Sequence, residues 1–283
     1  MKNNRIKDIS INIPIPINII ENSKKFINKN RFKKINKNIR VFCTGKNSGY
    51  AGGHNYGLSK AKTRYVLICN PDVIFNKNYF KNIKIYLKNN IDFHVIGSQY
   101  IKRNMNRPAY GLFKSNMINP DLPTNYQGLQ KVDWVVGCTM LIDMKKFSKT
   151  KIFDENFFLF YEENDLCKRI KTNGGYIYSS KKLIINHFGE KGSFATNPKL
   201  KLDYIKLRNW HLMWSTFYFY KKHFGTIKAY IKILPKSISA FLKFIFFSLI
   251  NNKKKRDIYY ARFNGSLNSI IGKKSWFRPK ITK

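Results

Sequence analysis

Cysteine is scarce and scattered. The four, Cys43, Cys69, Cys138 and Cys167, form no C-x-x-C pair. That excludes a zinc ribbon and a disulfide scaffold, and the expected compartment is the reducing cytosol. Long apolar runs are also missing: no stretch reaches the roughly 18 residues of a membrane-spanning helix. The start, Met1 to Lys7, is basic and leads into an Ile-rich segment. Asn12, Pro14, Pro16 and Asn18 interrupt that segment and no small-residue cleavage site follows, so it reads as extended chain and not as a signal peptide. There is no internal repeat, no G-x-G-x-x-G and no P-loop, which leaves dinucleotide and ATP binding unsupported. Acids are few: 15 Asp and Glu face 54 Lys and Arg, a formal net charge of +39 in 283 residues.

That charge suits an anionic partner: nucleic acid, anionic lipid or a phosphorylated substrate. It is a weak guide, because the chain is rich throughout in Lys, Asn and Ile, the residues with A/T-rich codons. The basic residues are also spread along it. With 43% hydrophobic and 16% aromatic residues, a packed core is expected, in one large domain or one domain plus an appendage.

The order of segments is that of an α/β sheet. Residues 8–20 alternate with Ile at every second position, a strand pattern, and residues 24–38 have helix-like spacing. Ile39 to Thr44 reads as a strand, followed by the glycine-dense loop GKNSGYAGGHNYG and a short helix through Leu58 and Ala61. Arg64 to Cys69 has the pattern of a buried strand, stopped at Asn70-Pro71-Asp72. Residues 77–89 and 162–172 read as helices, the second ended by Asn173-Gly174-Gly175. Val132 to Ile142, Tyr176 to Tyr178 and Leu183 to Asn186 read as strands. From about residue 200 the chain is aromatic and helical in character.

Four features carry chemistry. Asp72, just past a buried strand, stands where α/β sheets bind ligands; it fits either a metal ligand or an Asx turn. Four glycines between Gly49 and Gly57 let backbone approach a ligand, or make a plain flexible loop. The window 154–165 holds five carboxylates, Asp154, Glu155, Glu162, Glu163 and Asp165. Such a cluster supplies a general base or caps a helix N-terminus. His187 ends the strand LIINH before a glycine-containing loop.

In this order the features resemble glycosyltransferase family 2, the inverting GT-A enzymes, and most closely its rhamnosyltransferase-like branch. Asn47 to Gly57 is similar to the family's N-x-G-[FY]-[AG]-G-[GN]-N-x-G loop, Asn70 to Val73 to its N-P-D-V strand end, and Trp134 to Ile142 to its W-x-x-G-x-x-[ML]-[IL] strand. Phe153 to Arg169 is similar to its F-D-E-x-F-F-[LM]-[FY]-x-E-[DE]-x-D-L-C-x-R segment, and His187 to its closing histidine. The resemblance covers about residues 19–195. It implies a Rossmann-like GT-A fold, a mostly parallel sheet flanked by helices, over residues 1–200. It implies a nucleotide-sugar donor, dTDP- or UDP-linked, a Mg²⁺ or Mn²⁺ ion, and a glycan or lipid-linked acceptor. By the same resemblance Asp72 and His187 hold the metal, with Asn70 in the first position of the family's D-x-D-type motif. Glu163 is the base, with Glu162 and Asp165 as its neighbours. Glu21, Asn22, Asn47, Gly52, Gly53 and Asn55 line the nucleotide, and Asp133 and Trp134 lie by the acceptor.

The family's second strand ends D-N-x-S, and Ile19 to Ser23 matches it with only 18 residues ahead. The family's first strand and helix are therefore expected to be missing or much reduced. An inactive relative acting as a scaffold is the alternative function. A basic nucleic-acid binder is a lesser one, for which no recognition motif is present, so no nucleic-acid partner is expected. Residues 201–283 are expected to form a helical tail on the inner face of the membrane. In a helix over Thr226 to Ile250, Lys228, Lys232, Lys236 and Lys243 fall within roughly 80° of one another. Apolar residues cover much of the rest, and Pro235 is expected to kink or split the helix. Trp210, Trp214, Phe217, Tyr218, Phe219 and Tyr220 are expected to be interfacial anchors, and the run from Asn251 to Arg256 to meet anionic headgroups.

Overall fold

The structure, a computed structural model, describes residues 15–24, 32, 38–101, 110–111, 128–148, 151–187 and 200–279. The start of the alternating segment and nearly all of the helix-like segment 24–38 lie outside these residues. The chain forms two compact units, one of residues 1–155 with 166–187, the other of residues 156–165 with 188–283.

In the first unit, β1 (Ile17–Glu21) and β2 (Ile39–Cys43) pair in parallel. Helix α1 (Gly49–Ser59), β3 (Tyr65–Cys69), β4 (Val73–Phe75), α2 (Tyr79–Lys88) and β5 (Val95–Ile101) follow. Then come β6 (Tyr110–Gly111), β7 (Leu129–Lys131), β8 (Trp134–Val135), β9 (Thr139–Asp143), α3 (Glu162–Thr172) and β10 (Ile177–His187). The main sheet runs β3-β9-β5-β10-β4, with β7 also on β10, and β6 pairs separately with β8.

The α/β class is as expected, but the sheet is mixed and not mostly parallel. β10 pairs in parallel with β5, whereas β9 is antiparallel to β3 and β5, and β4 and β7 are antiparallel to β10. A strand covered on both faces shows the same apolar run whichever way it points, so periodicity carries no direction. Alternate residues of the central strands serve two cores. Val95, Met140 and Ile142 pack with Ala51 and Leu58 of α1 and Leu166 and Ile170 of α3. Ile96 and Leu141 pack with Tyr79, Ile83 and Tyr86 of α2. Two expected short strands after residue 175 are one strand, β10, interrupted by a register shift between Ser180 and Ile184.

The glycine-dense segment is not a loop. It is α1 itself, starting at Gly49, even though glycine weakens a helix by about 0.5–1 kcal/mol per residue relative to alanine. Close packing explains the residues: a Cβ on Gly57 would lie 3.0 Å from Ile20 Cγ1, and one on Gly53 3.1 Å from Asn22 Nδ2.

The second unit contains α4 (Lys201–Phe224), α5 (Thr226–Leu249) and α6 (Lys253–Ile270), the first two joined through Gly225 at φ 87°. Pro235 lies inside α5 without splitting it. The aromatics expected as membrane anchors are mostly core: Trp210, Trp214, Phe217 and Phe219 are buried. Trp210 Nε1 donates to Asn264 Oδ1 at 2.8 Å and Trp214 Nε1 to the Lys273 carbonyl at 2.9 Å. Composition shows how aromatic a helix is, but not which way its rings face. Among the described residues no helix is long and apolar enough to cross a membrane.

Gly97 in β5 is a tight point, since a Cβ there would stand 2.5 Å from Val135 Cβ and Cγ1. Gly97→Ala is expected to cost about 1–3 kcal/mol by overpacking. It should cost measurably less in a Val135→Ala background, which opens the space. Equal costs in the two backgrounds by urea denaturation would show that this contact is not the constraint.

Candidate active site

The start of α1 is organised from β1. Its N-cap, Ser48, makes no side-chain cap bond. Instead Asn22, just beyond β1, accepts from Ser48 N at 3.0 Å, Ser48 Oγ at 2.8 Å and Thr44 Oγ1 at 3.0 Å, and donates to the Gly49 carbonyl at 2.7 Å. Asn47 Oδ1 accepts from Gly49 N at 3.1 Å. Asn22 and Asn47 thus do from outside the helix what a capping side chain does from within. Gly52 makes room beside Ser48, where a Cβ would approach Ser48 Cβ to 2.7 Å. Glu21 supplies its backbone carbonyl to Thr44 N at 3.0 Å. Ser48 and Thr44 were missed in the sequence, although a serine just ahead of a helix is a recognisable cap signal.

Asn55, expected to line the nucleotide, is buried and spent internally. Its amide exchanges two bonds with the Phe153 backbone, at 2.9 and 3.0 Å, and donates to Glu155 Oε1 at 2.9 Å. It ties α1 to the segment that leads towards the acidic cluster.

Asp72 and His187, 115 positions apart in the chain, are brought together, with His187 Nε2 3.2 Å from Asp72 Oδ1. The cause is topological. β3, β5 and β10 all point one way. Asp72 follows the C-terminal end of β3 in the turn where Val73 N donates to the Asn70 carbonyl. β4 then runs back against β10, setting Val73 opposite His187. Both side chains keep partial exposure, 15% and 19%. Asp133 pairs with Lys171 of α3 at 3.1 Å, and Trp134 packs partly buried against the core on that face of the sheet.

The acidic cluster lies at the first turn of α3, which begins in the second unit and ends in the first. Phe160 and Tyr161 both have left-handed backbones, φ 71° and 69°, at a cost of roughly 1–2 kcal/mol per residue. Consecutive strain of this kind just before a pair of carboxylates is typical of a functional turn. Glu162 is buried, and among the described residues its Oε2 has no hydrogen-bond partner. Burial, and secondarily the charge of Glu163, raise Glu162 well above the carboxylate range. Burial pushes Glu163 up to about 7, against a smaller opposing effect of its own backbone N–H. Asp165 differs from both: fully buried, it is held by Lys222 Nζ at 2.6 Å and His223 Nε2 at 2.8 Å. It anchors α3 to α4, and nothing in the sequence marked Lys222 or His223 as its partners.

Residues 22–153 match the family described as Glycosyl transferase family 2. The match spans just under half of the chain, and over those residues the chain is similar to that family. The low-salt glycan biosynthesis hexosyltransferase Agl10 of Haloferax volcanii is 29% identical over 143 residues, covering 47% of this chain and 46% of that protein. The chain therefore spans about half the length of that curated relative. Two solved structures align with it. One is GalNAc-T7 with UDP, GalNAc and Mn²⁺, at 11% identity and a TM-score of 0.49, over 72% of this chain and 44% of that one. The other is the mannosyltransferase PcManGT of Pyrobaculum calidifontis with GDP-Man and Mn²⁺, at 9% identity and 0.47, over 89% and 77%. The family 2 match includes Asn22, Asn47, Asp72, Asp133 and Trp134 and stops before Glu162, Glu163 and His187.

The raised carboxyl pair, Glu162 buried and Glu163 half-buried, has a consequence for stability. Carboxyls raised from 4.5 towards 7 make the folded state bind more protons than the unfolded one in that window. Stability should therefore fall as pH rises through it. Half-buried His54, lowered to about 4 by desolvation, works in the opposite sense, so the readout is a difference between proteins. Glu163→Gln should flatten the fall in melting temperature between pH 5 and 7 relative to wild type. Parallel curves would show that Glu163 titrates normally.

Proposed function

We propose that this chain is a nucleotide-sugar glycosyltransferase that moves a hexosyl group, with rhamnose the candidate, from a dTDP- or UDP-linked donor to a glycan or lipid-linked hydroxyl with inversion. The observation that carries the reading is the pairing of Asp72 with His187 at the C-terminal ends of aligned strands, inside and just beyond the family 2 match. The hexosyltransferase name of the Haloferax relative supports it.

The two side chains fit a divalent ion. A carboxylate oxygen and an imidazole nitrogen 3.2 Å apart and partly exposed form a mixed donor set that suits Mn²⁺ at least as well as Mg²⁺. Among the described residues no cluster of three protein donors occurs, so Asp72 and His187 would hold the metal together with donor phosphate oxygens. Such an ion supplies positive charge against the leaving diphosphate. Glu163 takes the acceptor hydroxyl proton as that oxygen attacks the anomeric carbon. The bond from that carbon to the diphosphate breaks, and no covalent intermediate is needed. A carboxyl near 7 holds a proton more firmly than an ordinary carboxylate, which strengthens it as a base. Glu162, deeper beside it, is also raised well above the ordinary carboxylate range by burial.

The test is transfer from dTDP-rhamnose and UDP-hexoses with Mn²⁺. Glu163→Gln should lower turnover roughly 10²–10⁴-fold with donor binding kept, and Asp72→Ala should remove metal-dependent donor binding measured by calorimetry. If Glu163→Gln turned over at the wild-type rate, the base would be assigned to Glu162. If wild type bound no nucleotide-sugar with Mn²⁺, the chain would be a non-catalytic relative.

A further inference from the structure

The tail is inverted relative to an ordinary soluble helix bundle. Along α5, Ile227, Ile231, Leu234, Ile238, Leu242 and Leu249 are spaced by threes, fours and a seven, and each is 42–80% exposed. That spacing is one continuous helical stripe. The face turned inward is made of Ala229, Ile233, Ser237 and Ala240. An unbroken apolar stripe along a 24-residue helix marks an interaction surface.

Beside the stripe, between α5 and α6, lies a cleft of about 380 Å³ lined by Pro235, Lys236, Ser239, Lys243, Tyr259 and Arg262, together with Ala240. It has three cations and no acid among its lining residues. The two acids of residues 201–283 are engaged elsewhere, Asp203 with Lys206 at 2.7 Å and Asp257 with Arg256 at 2.8 Å. Arg262 is held in place through Asn209 Oδ1 at 3.0 Å, and Lys243 leans over the Tyr259 ring at 5.4 Å. Burial, and then the charges of Lys232 and Arg262, pull Lys236 below the ordinary lysine value. An anion in the cleft would relieve that repulsion.

We propose that this cleft binds the phosphate headgroup of an anionic phospholipid while the stripe of α5 inserts into the same bilayer surface. A soluble phosphate would use the cations and leave the stripe in water. A second protein chain would cover the stripe and leave the cleft unneutralised. A phospholipid satisfies both with one molecule class, and α5 then lies in the membrane plane, since it is not apolar enough to cross. The proposal does not depend on the transferase reading, because its readout is binding alone.

The test is co-sedimentation of the full chain with vesicles of phosphatidylcholine, and of phosphatidylcholine mixed equally with phosphatidylglycerol. Wild type should bind the anionic vesicles at least tenfold more tightly. The combined variant Lys236→Gln, Lys243→Gln and Arg262→Gln should lose most of that preference, each charge near an anionic surface being worth about fivefold. The variant Lys253→Gln, Lys254→Gln and Lys255→Gln removes the same charge outside the cleft and should lose clearly less of the preference than the cleft variant, by at least fivefold. Because Arg262 also braces Asn209, Lys243→Gln alone is the second measurement, with an expected loss of about threefold to fivefold. Ile238→Ser with Leu242→Ser should weaken binding to both vesicle types. Equal losses in the two triple variants, displacement from vesicles by millimolar inorganic phosphate, or no binding of wild type to anionic vesicles would each overturn the proposal.

Discussion

The first unit depends on β10. Its eleven residues pair with β5, β7 and β4, so a single strand fixes the register of three others. Such a strand cannot stay straight against neighbours of different length. The register shift between Ser180 and Ile184 absorbs the mismatch, as a bulge does at the cost of unpaired backbone groups. Ser180 meets that cost. Its buried Oγ accepts from Lys182 N at 3.1 Å and Leu183 N at 3.0 Å, and it shares a hydrogen bond with Tyr86 OH of α2 at 2.7 Å. One hydroxyl therefore satisfies the bulge and pins the helix that covers it. Past the bulge β10 continues to His187, placed opposite Val73 and so beside Asp72. The geometry of the proposed metal pair is a property of sheet register.

At the first turn of α3 two electrostatic effects oppose each other. A helix N-terminus favours carboxylate, by typically 0.3–1 kcal/mol when exposed. Burial favours the neutral acid by more, and it prevails at Glu162 and Glu163. Asp165 in the same turn is instead contacted directly by Lys222 and His223. Three acids within four positions thus divide into one held by two cationic partners and two raised by burial above the ordinary carboxylate range. The left-handed pair Phe160 and Tyr161 leads the chain directly into this turn. Leu159 and Phe158 just before it are fixed by Ser215, which donates to the Leu159 carbonyl at 2.9 Å, and by the Arg278 guanidinium 3.2 Å above the Phe158 ring.

Much of this was legible in the sequence, for a physical reason in each case. The break at Asn70-Pro71-Asp72, the helix stop at Asn173-Gly174-Gly175 and the acidic cluster are local signals, and local chemistry sets them. What was not legible depends on contacts between distant segments. The glycines of α1 look the same whether they free a loop or admit Ile20 and Asn22 against a helix. Asn55 looks like a ligand donor until Phe153 and Glu155 occupy its amide. The direction of β9 leaves no trace in an apolar run that is buried on both faces.

The tail shows the same limit more sharply, because its composition was right and its orientation was not. Gly265 lets α6 approach α4 so closely that a Cβ there would stand 2.3 Å from the Trp210 carbonyl oxygen. That approach lets Asn264 receive Trp210 Nε1, and Ser269 donates to the Trp214 carbonyl at 2.9 Å, so the indoles face inward. Once α4 and α6 supply the tryptophan core, the fully buried face of α5 is mostly small, with Ile233 its one large aliphatic side chain. Ser237 meets Ser266 at 2.7 Å, and Ala229 and Ala240 fill the remaining contact. Ile227, Ile231, Ile238, Leu242 and Leu249 are then left on the outer face. Fully covering such an Ile or Leu side chain is worth about 1.5–3 kcal/mol. The exposed face of α5 is thus set by what α4 and α6 already supply to the core, and not by the composition of α5 itself.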